Sequence, residues 1–359
     1  MPSRRKRVLA VTSLCMAAVT QLHAQGVVVT SGAAEIHIGG RIQTQFATST
    51  VDTVPATGLE LRRLRLEATV KFNDVVSGKI QPDFAPGNRV VMKDAWMRIT
   101  LDPAFSILAG QAQRPFSLIT FTTSTRILPV ERGVRIRGLA DAWDEFNLLS
   151  DLNYSERDVG LQVLGAPKGA PLKLTYQAGF FNGPVRAQAR DRNTYQLAAR
   201  VTATPAHLLR VGAAWSRRDF VRPSTTPGVT VDVEPGNAYE ADVEYGSYDS
   251  AGVHLVAEAT YGDFQPFTGA RFLGAQGWLA YRTPELRGKV RAVEPLMRVS
   301  YGDTNVNDRA VENLGGLLLT PGVNLYLGGL NRVMFNWDFW NAAQGDSHNS
   351  FKAQFQVAF

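Results

Sequence analysis

Three arginines crowd one short stretch, Leu61-Arg62-Arg63-Leu64-Arg65-Leu66, and five more, Arg114, Arg126, Arg132, Arg135 and Arg137, lie between 111 and 157. A guanidinium is planar, keeps its charge at any working pH and presents bidentate donors to an oxyanion. Rings of arginine or lysine in a narrow wet passage concentrate anions while leaving them free to depart. The chemistry these residues suggest is therefore recognition of anions rather than bond breaking. The competing arrangement is a wall ion pair, with Arg65 neutralised by Glu67 or Asp94, and for the loop arginines an ion-paired or solvated surface.

Other chemistries find little support. Five histidines, His23, His37, His207, His254 and His348, are scattered and show no metal-ligand spacing. Asp141, Asp144, Glu145 and Asp151 could gather around calcium, but the same residues are better read as a solvated loop face. A hydrolase would need a nucleophile, a base and an orienting group, and nothing marks such a set. No metal or cofactor is expected.

Strands must position the arginines. The last nine residues, Phe351 to Phe359, alternate apolar and polar and stop on an aromatic side chain. Such a strand buries Phe351, Phe355, Val357 and Phe359 against a core or a bilayer and keeps Lys352, Gln354 and Gln356 wet. The same two-residue period predicts strands over 34–48, 58–73, 75–86, 89–101, 104–112, 157–166, 171–181, 193–203, 207–217, 237–247, 251–263, 269–283, 290–301, 311–320, 322–340 and 348–359, about sixteen in all. On the second of these, Leu64, Leu66, Ala68, Val70 and Phe72 share one face and Arg63, Arg65, Glu67, Thr69 and Lys71 the other. Arg62 falls on the apolar phase, so it either sits at the interface or bends inward. Aromatic residues near strand ends, Tyr245, Tyr261, Tyr281, Tyr301, Trp337, Phe339, Trp340 and Phe359, suit a membrane girdle. The fold class implied is all-β, a transmembrane antiparallel barrel of about sixteen strands, too wide for side chains to fill.

The chain start fits export. Arg4, Arg5, Lys6 and Arg7 precede the apolar run Val8 to Val19 and the small-residue site Leu22-His23-Ala24, so residues 1–24 read as a signal peptide and 25–359 as the barrel. Cys15, the only cysteine, falls within that leader. So do four of the 38 basic residues and none of the 32 acidic ones, leaving 34 against 32. Bulk charge then gives no support for nucleic acid binding.

The interval from Gln111 to about Arg157 is too long for a hairpin, and loops of that length are usually functional or disordered. Its apolar content, Phe116, Leu118, Ile119, Phe121, Ile127, Leu128 and Trp143, argues for order. The expectation is a loop region over about 113–156 that folds into the barrel and narrows it.

The chain resembles the phosphate-selective porins O and P of Gram-negative outer membranes. The resemblance rests on Gly39-Gly40-Arg41-Ile42-Gln43, Leu61-Arg62-Arg63-Leu64-Arg65-Leu66, Lys93-Asp94-Ala95-Trp96, Gly110-Gln111-Ala112-Gln113-Arg114-Pro115-Phe116-Ser117-Leu118, Pro129-Val130-Glu131-Arg132-Gly133 and Asp158-Val159-Gly160, in family order. It implies a sixteen-stranded barrel, usually a homotrimer, whose third loop folds inward and whose arginines and lysines select anions. By that resemblance Arg62 and Arg63 match the paired arginines of the second strand, and Asp94 matches the acidic residue of the Lys-Asp motif. The family's lysine-containing loop segment is replaced here by one with arginine and no lysine from 111 to 157.

Together these observations lead us to expect a water-filled outer-membrane channel for small solutes, anion-selective and of the phosphate type. The anion-path candidates are Arg62, Arg63, Arg65, Asp94, Arg114, Arg126 and Arg132. The alternatives are a nonspecific or organic-solute porin, then an outer-membrane hydrolase or a structural barrel. The partners expected are small anions or solutes, outer-membrane lipid and the barrel-assembly machinery, which would read Phe359.

Overall fold

Side chains alternate between a buried polar face and an exposed apolar one along nearly every strand, the reverse of a water-soluble sheet. On the last strand Lys352, Gln354 and Gln356 are buried, whereas Phe355 is 58% and Val357 50% exposed. The computed structural model describes residues 27–359 apart from 32–33, 53–54, 86, 88, 141, 184–193, 224–230, 266–268 and 309–312. The leader expected over 1–24, with Cys15, lies outside the described residues.

The strands are β1 (Val27–Ser31), β2 (Ala34–Thr48), β3 (Thr57–Lys71), β4 (Val76–Asp83), β5 (Val91–Asp102), β6 (Phe105–Gln113), β7 (Arg157–Gly165), β8 (Thr175–Phe181) and β9 (Gln196–Ala206). There follow β10 (Leu209–Pro223), β11 (Val231–Tyr245), β12 (Gly252–Asp263), β13 (Arg271–Arg282), β14 (Ala292–Asp303), β15 (Gly316–Gly328), β16 (Asn331–Ala342) and β17 (His348–Ala358). Two short helices, α1 (Leu118–Phe121) and α2 (Glu145–Asp151), interrupt the interval between β6 and β7. Each strand from β2 to β17 pairs antiparallel with the next, and β17 returns to β2, with Gln354 opposite Gln45 and Val357 opposite Ile42. This closes a sixteen-stranded barrel without a free edge, the condition for satisfying every backbone group in lipid. The short β1 pairs with the start of β2, from Ala34 to Ile38, just beyond the end of β17.

Closure depends on a close approach at Gly40. Its N–H donates to the Phe359 carbonyl at 2.8 Å, and the Phe359 N–H returns a bond at 3.2 Å. A Cβ at Gly40 would lie 2.7 Å from the Phe359 ring and 2.6 Å from the Arg65 carbonyl oxygen. Phe359 thus shares the outward face with Phe355 and Val357 and covers the glycine.

Three sequence expectations are corrected. A break was expected at Pro321, between strands over 311–320 and 322–340, but Pro321 and Gly322 both lie inside β15, and the turn comes at Gly328 and Gly329, which have φ of 142° and 56°. The missing side chain of Gly322 is what the site requires, since a Cβ there would come within 1.9 Å of the Asn336 amide nitrogen. The hairpin of β10 and β11 is longer than the expected 207–217 and 237–247, since β10 runs on to Pro223 and β11 already begins at Val231. Finally, Trp340 does not join the aromatic girdle. It follows Phe339 directly, so it falls on the opposite face and packs inside against Leu318, Val134 and Ile136. Tyr245, Tyr261, Tyr281, Trp337 and Phe339 are exposed.

Candidate functional site

The site is built from β2, β3, β4, β5, β7 and the segment 114–156. That segment lies against inward-facing side chains of the opposite strands. Phe116, Leu148, Leu149, Leu152 and Tyr154 cluster with Ala214, Ala238 and Phe272, while Ile119 and Leu128 pack with Val256, Trp278 and Leu296. A buried loop must also satisfy its backbone polar groups. Here Gln43 donates to the Ser124 carbonyl (3.0 Å), Gln356 to Thr125 (3.0 Å), Arg332 to Thr125 and Ile127 (3.1 and 2.5 Å), Asn324 to Leu128 (3.1 Å) and Arg298 to Glu131 (2.7 Å). The Val130 N–H donates to Asn336 Oδ1 at 2.5 Å. The polar faces of β2 and β14–β17 therefore act as a rail along residues 124–131.

Two β-bulges decide which charged residues reach this interior. In the pairing of β2 with β3, Gln43 faces Arg63 and Thr44 faces Leu61, so Arg62 is the extra residue. In the pairing of β4 with β5, Gln81 faces Asp94 and Pro82 faces Met92, so Lys93 is the extra one. A bulge opposes two residues to one and re-aims a side chain that simple alternation would send outward. Arg62 and Arg63 then both reach Glu131 from the loop: Arg62 Nε and Nη2 at 2.5 and 3.0 Å, Arg63 Nη2 at 3.4 Å. Arg135 adds a contact at 3.3 Å. Burial alone would raise the Glu131 carboxyl, but Arg62 and Arg63 outweigh it and hold the group well below the usual carboxylate range.

The other partners differ from the pairs weighed from sequence. Arg65 pairs with Asp83 at 2.7 Å, not with Glu67 or Asp94. Glu67 takes Lys79 (3.0 Å) and Arg41 (3.7 Å), and Asp94 takes Arg157 (2.6 Å) and Lys79 (3.5 Å). Among the described residues Arg132 faces no carboxylate within ion-pair distance; it donates to the carbonyls of Ile119 (3.1 Å) and Thr122 (2.6 Å). Glu156, at the loop end, is held below the ordinary glutamate value. Burial opposes this, and Arg132, Arg157 and Lys93 prevail.

Two other candidates stand apart. Arg114 is buried beneath the loop, bound to Asp158 at 3.3 Å and to the carbonyls of Asn153 and Ser155. It lines none of the cavities described below. Arg126 pairs with Asp249 at 3.0 Å where both are partly exposed. The acidic residues considered for calcium diverge. Asp144 caps α2 through the Asn147 N–H (3.1 Å) and accepts from Ser300, Asp151 accepts from Trp143, Glu145 turns toward Thr260, and Asp141 lies outside the described residues.

The interior holds a cavity of about 270 Å³ on the long-loop side and one of about 840 Å³ toward the short-turn end. Arg65, Arg132, Arg157 and Thr120 line both. The smaller has seven basic side chains, including Lys93, against Glu131 and Glu156. The larger has seven, including Arg41, Lys79 and Arg282, against Glu67, Asp94 and Asp249. The excess is positive on both sides. Sequence reasoning left out Lys93 and Arg157 from the candidates; the first needed the bulge, and the second was placed only as the end of the loop.

The model of a family described as phosphate-selective porin O and P matches residues 36–280, well over half of the chain. The chain belongs to this family. The porin also shares its fold with solved structures. An anion-selective porin from Comamonas acidovorans aligns with TM-score 0.60 at 13% identity, covering 91% of this chain and 100% of that one. OmpT, an outer membrane protein of Vibrio cholerae, aligns with TM-score 0.59 at 13% identity over 92% and 99%. Salmonella typhi OmpF, in complex with daunomycin, aligns with TM-score 0.59 at 10% identity over 92% and 100%. At these identities the likeness concerns the barrel alone. A comparison with curated proteins found no match. The porin forms an outer-membrane-type channel, and the arginine-lined interior is that of a channel wall.

Proposed function

We propose that this porin conducts small anions passively and prefers them to cations, with phosphate-type anions as the natural cargo by family membership. The observation that carries the reading is that the two cavities share Arg65, Arg132 and Arg157 in their linings. On this reading the segment 114–156 narrows the lumen, and an anion crossing it passes from the Arg62, Arg63 and Lys93 side to the Arg41 and Lys79 side. Ion pairs with Asp83, Asp94 and Glu131 hold most of the cations in place without cancelling their excess. Arg132 and Lys93, which have no carboxylate within ion-pair distance among the described residues, supply the exchangeable contacts. Several wet, partly neutralised cations favour entry yet permit release.

The channel belongs on this reading to the outer membrane of a Gram-negative cell, with the short turns facing the periplasm. Phe359, on the outward face at the seam, is offered to the assembly machinery, and the barrels associate as homotrimers. Transport requires no catalytic group. Arg63, Arg65 and Arg132 carry the path, Arg62 and Asp94 position it, Arg126 borders its exit, and Arg114 anchors the loop. Reversal potentials of the purified porin in planar bilayers under a KCl gradient test the selectivity. An anion-selective sign is expected, and a cation-selective one overturns the assignment while leaving the barrel untouched.

A further inference from the structure

A third cavity, of about 660 Å³, lies beside the loop tip toward the short-turn end. It shares Phe121, Thr122, Thr123, Arg126 and Gln177 with the larger cavity, so a solute leaving the narrow region passes its mouth. Its lining differs in kind from the arginine-rich path. Phe121 and Leu118 from α1, Leu164 from β7, Tyr176 from β8 and Tyr248 after β11 give it apolar and aromatic walls. The Tyr176 ring is fixed by a hydrogen bond from its hydroxyl to the Ala104 carbonyl at 2.7 Å, and Tyr248 is almost fully buried.

The charges of this cavity are nearly all paired. Arg200 binds Glu240 and Asp242 at 2.6 and 2.5 Å, Arg210 binds Glu244, and Arg126 binds Asp249. Arg98 is different. Among the described residues it has no carboxylate within ion-pair distance, and its buried Nε lacks a hydrogen-bond partner. The guanidinium is half-buried and lies 6.0 Å from the Trp96 ring, so its outer nitrogens are open to a solute at the edge of this aromatic chamber, and the unpartnered Nε adds a cost that a carboxylate would offset. An inorganic anion would satisfy the charge and waste the rings. A purely apolar solute would do the opposite.

We propose that this cavity binds small aromatic acids, with the carboxylate on Arg98 and the ring against Phe121 and Tyr176. The volume lies within the roughly 300–1,000 Å³ of small-molecule sites. The channel then has a second, organic-anion subsite beyond its arginine path. A solute with one acidic group and one ring is retained there after crossing the narrow region, whereas small inorganic ions pass.

The test is current block of the intact porin in planar bilayers by benzoate and by acetate. Benzoate should half-block at a concentration about tenfold lower than acetate, equivalent to about 1.4 kcal/mol. Phe121→Ala should shrink that benzoate-to-acetate ratio by about threefold, as expected for loss of one aromatic contact. Arg98→Gln should raise the benzoate half-block concentration about tenfold, the effect of one charge-assisted hydrogen-bonded pair. If Arg98→Gln fails to insert, Arg98→Lys keeps the charge, and the loss of planar donors should still weaken benzoate by a factor of a few. Equal block by the two acids in the wild type, or benzoate block unchanged in the Phe121 and Arg98 variants, overturns the subsite. Selectivity is read separately from reversal potentials, so failure of one reading is distinguishable from failure of the other.

Discussion

Arg132→Gln isolates a charge in the wall shared by the two cavities. Arg132 lines both and has no carboxylate within ion-pair distance among the described residues, and Glu156, which feels its charge most, keeps Arg157 and Lys93 when it is removed. Glutamine can still donate to one of the carbonyls of Ile119 and Thr122 that the guanidinium now serves. With an ion passing at roughly 7 Å, one unit charge in a water-like lumen is worth about 0.6 kcal/mol. Screening at 0.1 M salt, with a Debye length of about 10 Å, halves this to about 0.3 kcal/mol. The change acts in opposite senses on chloride and potassium, so the permeability ratio should fall by about threefold. At 1 M salt the Debye length is about 3 Å and the shift should nearly vanish. Glu131→Gln removes a negative charge beside Arg62, Arg63 and Arg135 and should move the ratio by a similar factor the other way. Reversal potentials in asymmetric KCl at both salt concentrations give the measurement. A ratio unchanged by Arg132→Gln at low salt, or a Glu131→Gln shift of the same sign, would refute the placement of Arg132 at the narrow point.

Three further outcomes are expected. Burial and the neighbouring Glu258 raise the Glu145 carboxyl well above its ordinary value of 4.5. Loop docking through it is therefore fully present below about that pH and lost as pH rises through the raised value. Protease cleavage within 114–156 should increase toward alkaline pH in the wild type and do so less steeply in Glu145→Gln, where Asp144, also raised, and the nearby Glu240 and Glu258 still titrate; an identical profile in both counts against this. Arg114→Ala strips a buried donor from Asp158 and the Asn153 and Ser155 carbonyls, and should cost about 3–5 kcal/mol in denaturant unfolding without altering the reversal potential. A changed selectivity would show that Arg114 reaches the path after all. Gly40→Val forces a side chain onto the Phe359 ring and the Arg65 carbonyl and should cost about 1–3 kcal/mol, seen as a lower temperature for loss of the heat-modifiable compact band. Wild-type heat resistance would mean that the seam tolerates the crowding.

The two-residue alternation is a local property, so the barrel strands and their inward and outward faces were readable from the residues alone. The runs from Ile38 to Gln45 and from Phe351 to Phe359 each present one polar and one apolar face, whatever they pair with. The arginine motif was legible for the same reason, since its residue types do not depend on the fold. What the alternation could not supply was the pairing. Arg62 meets Glu131 across 69 positions of sequence and Gln43 meets Gln356 across 313, and such contacts exist only once the barrel has closed. The bulges at Arg62 and Lys93 are likewise properties of two strands together, because an extra residue is extra only relative to a partner. Pro321 reads as a break in isolation but stays in a strand, where Asn336 opposite the adjacent Gly322 needs the empty space. Residue chemistry and period determined the kind of wall this chain builds. Tertiary closure decided which of its cations are paired, which face the passage, and that Arg65, Arg132 and Arg157, from two strands and a loop, line both cavities.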